Sequence, residues 1–247
     1  MAIQDPGPDL ADAVTRLAGT LGIAPYDARR RLHGHGPHVV ASYADAGTAD
    51  HTADALGRAG FGAVVVPPGY GEDSTVAHAF AFEASGLRVT PRSGADVVLA
   101  FARIRLLVRG TRIVSETRTE VTKQRSLSIG RAVLSGGLVM TKTTTTERSH
   151  QVEERDGFLV ACSDDGPDVI FLDAELLYDG LAADRQPTRT ANFLRLTTLL
   201  REKARIARFD DRLLTRAGQA AVLGGLFEPE ANLDTAVAVI RWTTLGA

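Results

Sequence analysis

The chain has 247 residues, 44% hydrophobic and 23% charged, with one cysteine and a formal charge of −2. This composition supplies a normal apolar core and excludes a wholly disordered chain; a lone cysteine, Cys162, also excludes a disulfide framework and a cysteine-based zinc site. The length exceeds the usual ~100–150 residues of one domain, so two domains are expected.

Apolar runs such as Val97–Ala102 fall far short of the ~20 residues that span a bilayer. The acidic, Pro-rich Met1–Asp9 stretch has no basic or apolar leader pattern, so a cytoplasmic protein is expected. From Asp9 to Gly22, Leu10, Val14, Leu17 and Leu21 recur at helical spacing, and Gly22 marks the stop. Pro25 opens a second helix to Leu32, because its fixed φ suits a first helical turn. Val39–Tyr43 reads as a strand, Thr48–Ala59 as a helix capped by Thr48, and Phe61–Val66 as a second strand. A right-handed crossover makes these two strands parallel. Two strands cannot bury both faces, so the preceding helices must complete a small helix–helix–β–α–β core. Pro67–Ser74 carries Pro, Gly and acidic residues without periodicity and reads as a linker that few apolar contacts cross.

Short strands and turns follow. Ser85-Gly86, Ser93-Gly94, Gly110-Thr111, Asp156-Gly157 and Asp165-Gly166 read as hairpin turns. Ile104, Leu106 and Val108 alternate with Arg103, Arg105 and Arg109, the pattern of a half-solvated antiparallel strand. Arg112–Lys123 and Thr141–Arg155 read as long polar strands, Phe158–Ser163 and Val169–Asp173 as short apolar ones. About seven strands without an intervening helix imply a sandwich or barrel. Pro187–Arg205 reads as a helix across the open barrel end, with Phe193, Leu196, Leu200 and Ala204 along one stripe. Phe209–Leu223 and Asp234–Leu245 read as a helical tail. The expected class is α+β: a small module at 1–68, a linker at 69–75, a barrel with capping helix at 76–205, and a helical extension at 206–247.

The stretch Val97–Gly110, VVLAFARIRLLVRG, resembles the strand, small kink and second strand that bacterial pleckstrin-homology-like barrels place early, with Phe101 and Ile104 inward. The strand-then-helix order of residues 75–205 is similar to the same family. The resemblance implies an antiparallel barrel with a C-terminal capping helix. It also implies a binder of phosphoinositides, peptides or proteins, or a scaffold without catalysis. No basic loop matches a phosphoinositide signature, and the excursion at Gln124–Met140 departs from the family pattern. Val39–Val66 is similar to the β–α–β half of ferredoxin-like small modules, from which no function follows.

Charge is uneven: residues 85–150 carry twelve basic and four acidic side chains, residues 151–184 one basic and ten acidic. The two blocks either attract an anionic partner or neutralise each other across a sheet. His33, His35 and His38 could share an ion, but their Gly/Pro-rich loop is poorly organised for it and no carboxylate or cysteine stands at motif spacing. Asp164–Asp168 lacks the ligand order of a calcium loop and reads as a turn. Cys162 reads as a small buried hydrophobe. No catalytic or nucleotide-binding motif occurs, Leu138 standing where a P-loop needs lysine, so neither an enzyme nor a cofactor is expected.

The least ordinary segment is Lys123–Lys142. Leu127, Ile129, Leu134, Leu138 and Met140 alternate with Ser and Gly and are flanked by Arg125, Arg131 and Lys142. That pattern suits a protein partner's groove or an anionic membrane surface, unless the segment folds back on its own core. A non-enzymatic adaptor or scaffold is the expected function, with a partner protein or self-association. The alternative is a peripheral anionic-lipid binder. The basic block lacks interleaved aromatics and the pI is about 6.3, so nucleic acid is not expected.

Overall fold

The Asp9 carboxylate accepts a hydrogen bond from the Asp12 amide and fixes the start of α1 (Leu10–Leu21). Gly22, left-handed at φ 64°, ends that helix. α2 (Pro25–Arg31) follows with proline in its first turn. α3 (Ala46–Arg58) begins before the expected Thr48: the cap is Asp45, whose carboxylate accepts from both the amide and the hydroxyl of Thr48 at 2.7 Å. A two-residue strand that the sequence did not announce, β1 (Ala2–Ile3), lies between β2 (His38–Val39) and β3 (Ala63–Val64). It runs antiparallel to each. β2 and β3 are therefore parallel, as the crossover requires, but they are not neighbours. The computed structural model describes residues 1–67, 73–127, 141–164 and 166–246, with the backbone alone for 114–127 and 141–154.

A second sheet is built from β4 (Thr75–Phe82), β5 (Gly86–Pro91), β6 (Val97–Ala100), β7 (Ile104–Leu127), β8 (Thr141–Ser163), β9 (Val169–Leu172) and β10 (Arg208–Leu213). Their order is β10-β7-β8-β9-β4-β5-β6. β4 pairs with β9 and β10 with β7 in parallel, whereas β4–β5, β5–β6 and β8–β9 are antiparallel. The chain is thus α+β, and its described strands form an open mixed sheet, with no closed barrel among the described residues. β10 corrects the expectation of helix from Phe209: an extended segment pairs with β7 from Leu106 to Gly110 and covers an edge that would otherwise lie open.

Two expected turns are strand interior. Gly110 lies within β7, where a Cβ would overlap the Phe158 ring. Gly157 lies within β8, where a Cβ would press on the Phe193 ring at 3.1 Å. Glycine serves at both positions for close approach rather than for positive φ. Consequently Arg112–Lys123 and Thr141–Arg155 are not separate strands but the continuations of β7 and β8. The turns at Ser85-Gly86 and Ser93-Gly94 stand where expected, the first closed by a 2.9 Å bond from the Glu83 amide to the Gly86 carbonyl.

Successive residues of β8 serve two cores, as the two-residue strand period demands. Leu159 and Ala161 join a cluster with Phe80, Leu107, Phe171 and, from α4 (Arg189–Lys203), Phe193, Leu196 and Leu200. Phe101 and Ile104 belong to this cluster, so both are buried as expected. Phe158, Val160 and Cys162 join a second cluster with Leu106 and Val108. That cluster is completed by Val222 of α5 (Arg216–Val222), by Val237 and Ile240 of α6 (Leu233–Leu245), and by Ala2 and Val39. The Leu106–Val108 stretch of β7 is therefore buried on both faces rather than half-solvated: Leu106, Leu107 and Val108 are all at most 1% exposed. The second cluster also carries apolar contact across the proposed linker, against the expectation that little would cross it.

The α4 stripe of Phe193, Leu196, Leu200 and Ala204 is buried as predicted, but against a sheet face. Asn192 pins its start, accepting from the Gln186 amide at 2.7 Å and donating to the Gln186 and Thr188 carbonyls. Residues Met1–Arg112 together with Asp156–Ala247 form one compact unit, and Ile113–Arg155 form another.

Candidate functional site

Of the residues expected to make contacts, Arg125 and Leu127 lie on β7 and Lys142 on β8, with the backbone alone described. Ile129, Arg131, Leu134, Leu138 and Met140 lie outside the described residues. The two strands that lead to them are described, and their lengths are unusual: 24 and 23 residues, where ~5–6 is common. β10 accompanies β7 only from Leu106 to Gly110, and β9 accompanies β8 only from Phe158 to Ala161. Within the unit Ile113–Arg155, β7 and β8 have only each other among the described strands. Each outer edge is a row of backbone N–H and C=O groups of the kind that adds another strand. A two-stranded ribbon alone is marginal in water.

The larger unit contains a polar constellation that the sequence reading missed. Asp156, 6% exposed in its side chain, accepts from Arg112 Nε at 2.9 Å and Nη2 at 2.8 Å, and from the Ala174 amide at 2.9 Å. Arg112 Nη2 also reaches Glu175 Oε1 at 3.1 Å. Beside it the Tyr178 hydroxyl donates to Asp173 Oδ1 at 2.6 Å. Burial pushes the Asp173 carboxyl above its ordinary range; the Tyr178 hydrogen bond opposes this, and the Asp156 charge adds to it. Burial, then the bond to Asp173, pushes the Tyr178 phenol up as well. The guanidinium, the phenol and Asp156 are all committed to partners here, so the arrangement ties β7 at Arg112 and β8 at Asp156 to residues 173–178. The clue in the sequence was an acid next to glycine inside an apolar strand, which a turn explained equally well.

The histidine cluster is divided by the fold. His38 is fully buried on β2, and its Nδ1 lies 2.9 Å from the Ala221 carbonyl of α5. Because a carbonyl only accepts, Nδ1 carries the proton, and Nε2 has no partner among the described residues. Burial holds the imidazole below its ordinary value; the Ala221 bond and Asp5 act against this, Arg212 and His33 with it. Gly36, at φ 100°, lets the Arg212 guanidinium pack against the loop backbone. Among the described residues no three His, Cys, Asp or Glu side chains are placed to share a metal ion. Of the aspartates weighed for calcium, Asp164 pairs with Arg105 at 2.6 Å and Asp168 with Arg241 at 2.8 Å. Cys162 is buried in the second apolar cluster. No protein-family model, characterised protein or solved structure matches the chain.

Proposed function

We propose that the protein is a non-enzymatic, cytoplasmic adaptor or scaffold that works by protein–protein contact or self-association. The observation that carries this reading is the strand pair of unit Ile113–Arg155, whose outer edges lack neighbours among the described strands. It leads into a segment, 127–140, rich in Leu, Ile, Val and Met and free of acidic residues. Main-chain edges supply affinity by strand addition and apolar side chains supply selectivity. The order of β4–β9 followed by α4 supports a pleckstrin-homology-like reading of residues 76–205, from which the two parallel pairings depart. No described helix is long and apolar enough to cross a membrane.

Native mass spectrometry and chemical crosslinking of the full chain, with and without L134S/L138S, test the proposal. A specific oligomer or complex that the double variant loses supports it. A strict monomer indifferent to the double variant overturns it. Co-sedimentation with anionic liposomes, lost at high salt and in R125S/R131S, would replace it with the membrane-surface reading.

A further inference from the structure

Three guanidinium groups from three different elements line one open cavity of about 460 Å³: Arg105 of β7, Arg208 of β10 and Arg241 of α6. Two of them are held in place. Arg105 places Nε and Nη2 on Asp164 Oδ2 at 2.7 and 2.6 Å, and Arg241 places Nε on Asp168 Oδ2 at 2.8 Å. Asp168 is nearly buried, its side chain 6% exposed, which makes it a rigid anchor. A guanidinium has five N–H donors, so these pairings use only some of them, and both arginines keep Nη donors that are not bonded to these aspartates. Arg208 is exposed and makes no ion pair among the described residues. The hydroxyl-bearing Ser163 and Thr244 also line the wall.

Two features work against an anion there. Asp164 faces the same cavity, but Arg103, at 3.4 Å, and Arg105 both compensate it. The last turn of α6 contributes the negative end of a helix, equivalent to roughly half a charge. Arg208 brings a full positive charge without a countercharge among the described residues, and three arginines against Asp164 leave the described lining net positive. We propose that this cavity is an oxyanion site that takes a phosphoryl group, gripped by Arg208 with the remaining Nη donors of Arg105 and Arg241. The lining suits phosphate because several guanidinium forks around one cavity can meet a tetrahedral array of oxygens, which one lysine-like point charge does not. The phosphoryl group can belong to a free small molecule or to a lipid headgroup.

Calorimetric titration of the full chain with inorganic phosphate, alongside flotation with phosphatidylcholine vesicles with and without phosphatidic acid, tests the site. Arg208→Ala is the diagnostic variant, because it removes an exposed group and strands no buried charge. Arg205→Ala, which alters an exposed arginine outside the cavity wall, is the control. The expected result is saturable binding to one probe or both, weakened about tenfold or more in Arg208→Ala and unchanged in Arg205→Ala. Phosphate binding without vesicle binding identifies a free ligand; Arg208-dependent binding confined to phosphatidic acid vesicles identifies a headgroup. Absence of saturable binding to either probe overturns the proposal, as does binding that survives Arg208→Ala intact.

Discussion

The two faces of the large sheet are closed by different parts of the chain. One face is covered by α4, which follows the sheet strands closely in sequence, and every buried member of its cluster falls between residues 77 and 204. The other face is covered from afar, by Ala2 and Val39 on one side of the sequence and by α5 and α6 on the other. The first core is self-sufficient in sequence, whereas the second joins the small three-stranded sheet to the large one. Apolar contacts, not linker composition, decide what folds together.

Removing residues 1–74 tests that contrast most severely. It strips Ala2, Val39, Val64 and Val66 from Leu106, Val108, Phe158 and Val160 while leaving the α4 side intact. The fragment 75–247 is expected to aggregate or to lose its cooperative thermal transition by circular dichroism. A stable monomer that melts cooperatively would show that the second core closes without the small sheet.

Gly110→Ala probes the second core at one atom. A Cβ there overlaps the Phe158 ring and lies 2.9 Å from Leu213 Cβ, so urea unfolding should report a loss of about 1–3 kcal/mol. Phe158→Leu should cost less on the Gly110→Ala background than alone, because the smaller side chain relieves the overlap. If position 110 were a permissive turn, the same alanine would be neutral or stabilising.

The smallest effect concerns the join between His38 and α5. The imidazole is held below its ordinary value of 6.5, so the unfolded chain takes up a proton before the folded one does. The stability that the neutral ring contributes is present above pH 6.5 and is lost as pH falls below it, at up to about 1.4 kcal/mol per pH unit. His38→Asn keeps an N–H for the Ala221 carbonyl and cannot titrate. Denaturant midpoints measured between neutral and mildly acidic pH should fall less steeply in His38→Asn than in the unaltered protein. Equal slopes would remove His38 from the account.

What could be read from sequence follows the range of each signal. α1, α2 and α4 were legible because their stops, prolines and apolar stripes are local: Gly22, Pro25, and Phe193 with Leu196 and Leu200. β1 has two residues and no period to detect. β10 carries one phenylalanine among Arg and Asp and becomes a strand only because β7 offers it an edge. Gly110 and Gly157 look like turn glycines, since sequence does not distinguish a residue that needs positive φ from one that must yield space to a ring. The segment expected to make contacts stands out by composition alone, which says what Leu134 and Leu138 are but not what they meet; both lie outside the described residues. The Arg112–Asp156 pair and the three arginines of the cavity were illegible because their members come from strands and helices far apart in the chain.

The parallel pairing of β10 with β7 also sets a timetable for synthesis. Arg208 meets Leu106 across about a hundred residues of chain. At ribosomal speeds of roughly 5–20 residues per second, β7 waits some 5–20 s after emerging before its outer partner exists. During that interval Leu106, Leu107 and Val108 form the sticky margin of an unfinished nascent sheet. Messenger features that slow elongation between codons 110 and 208 would lengthen this exposure, and a holdase chaperone bound to that margin would shield it. Yield of folded protein should therefore depend on translation tempo across this stretch more than anywhere earlier.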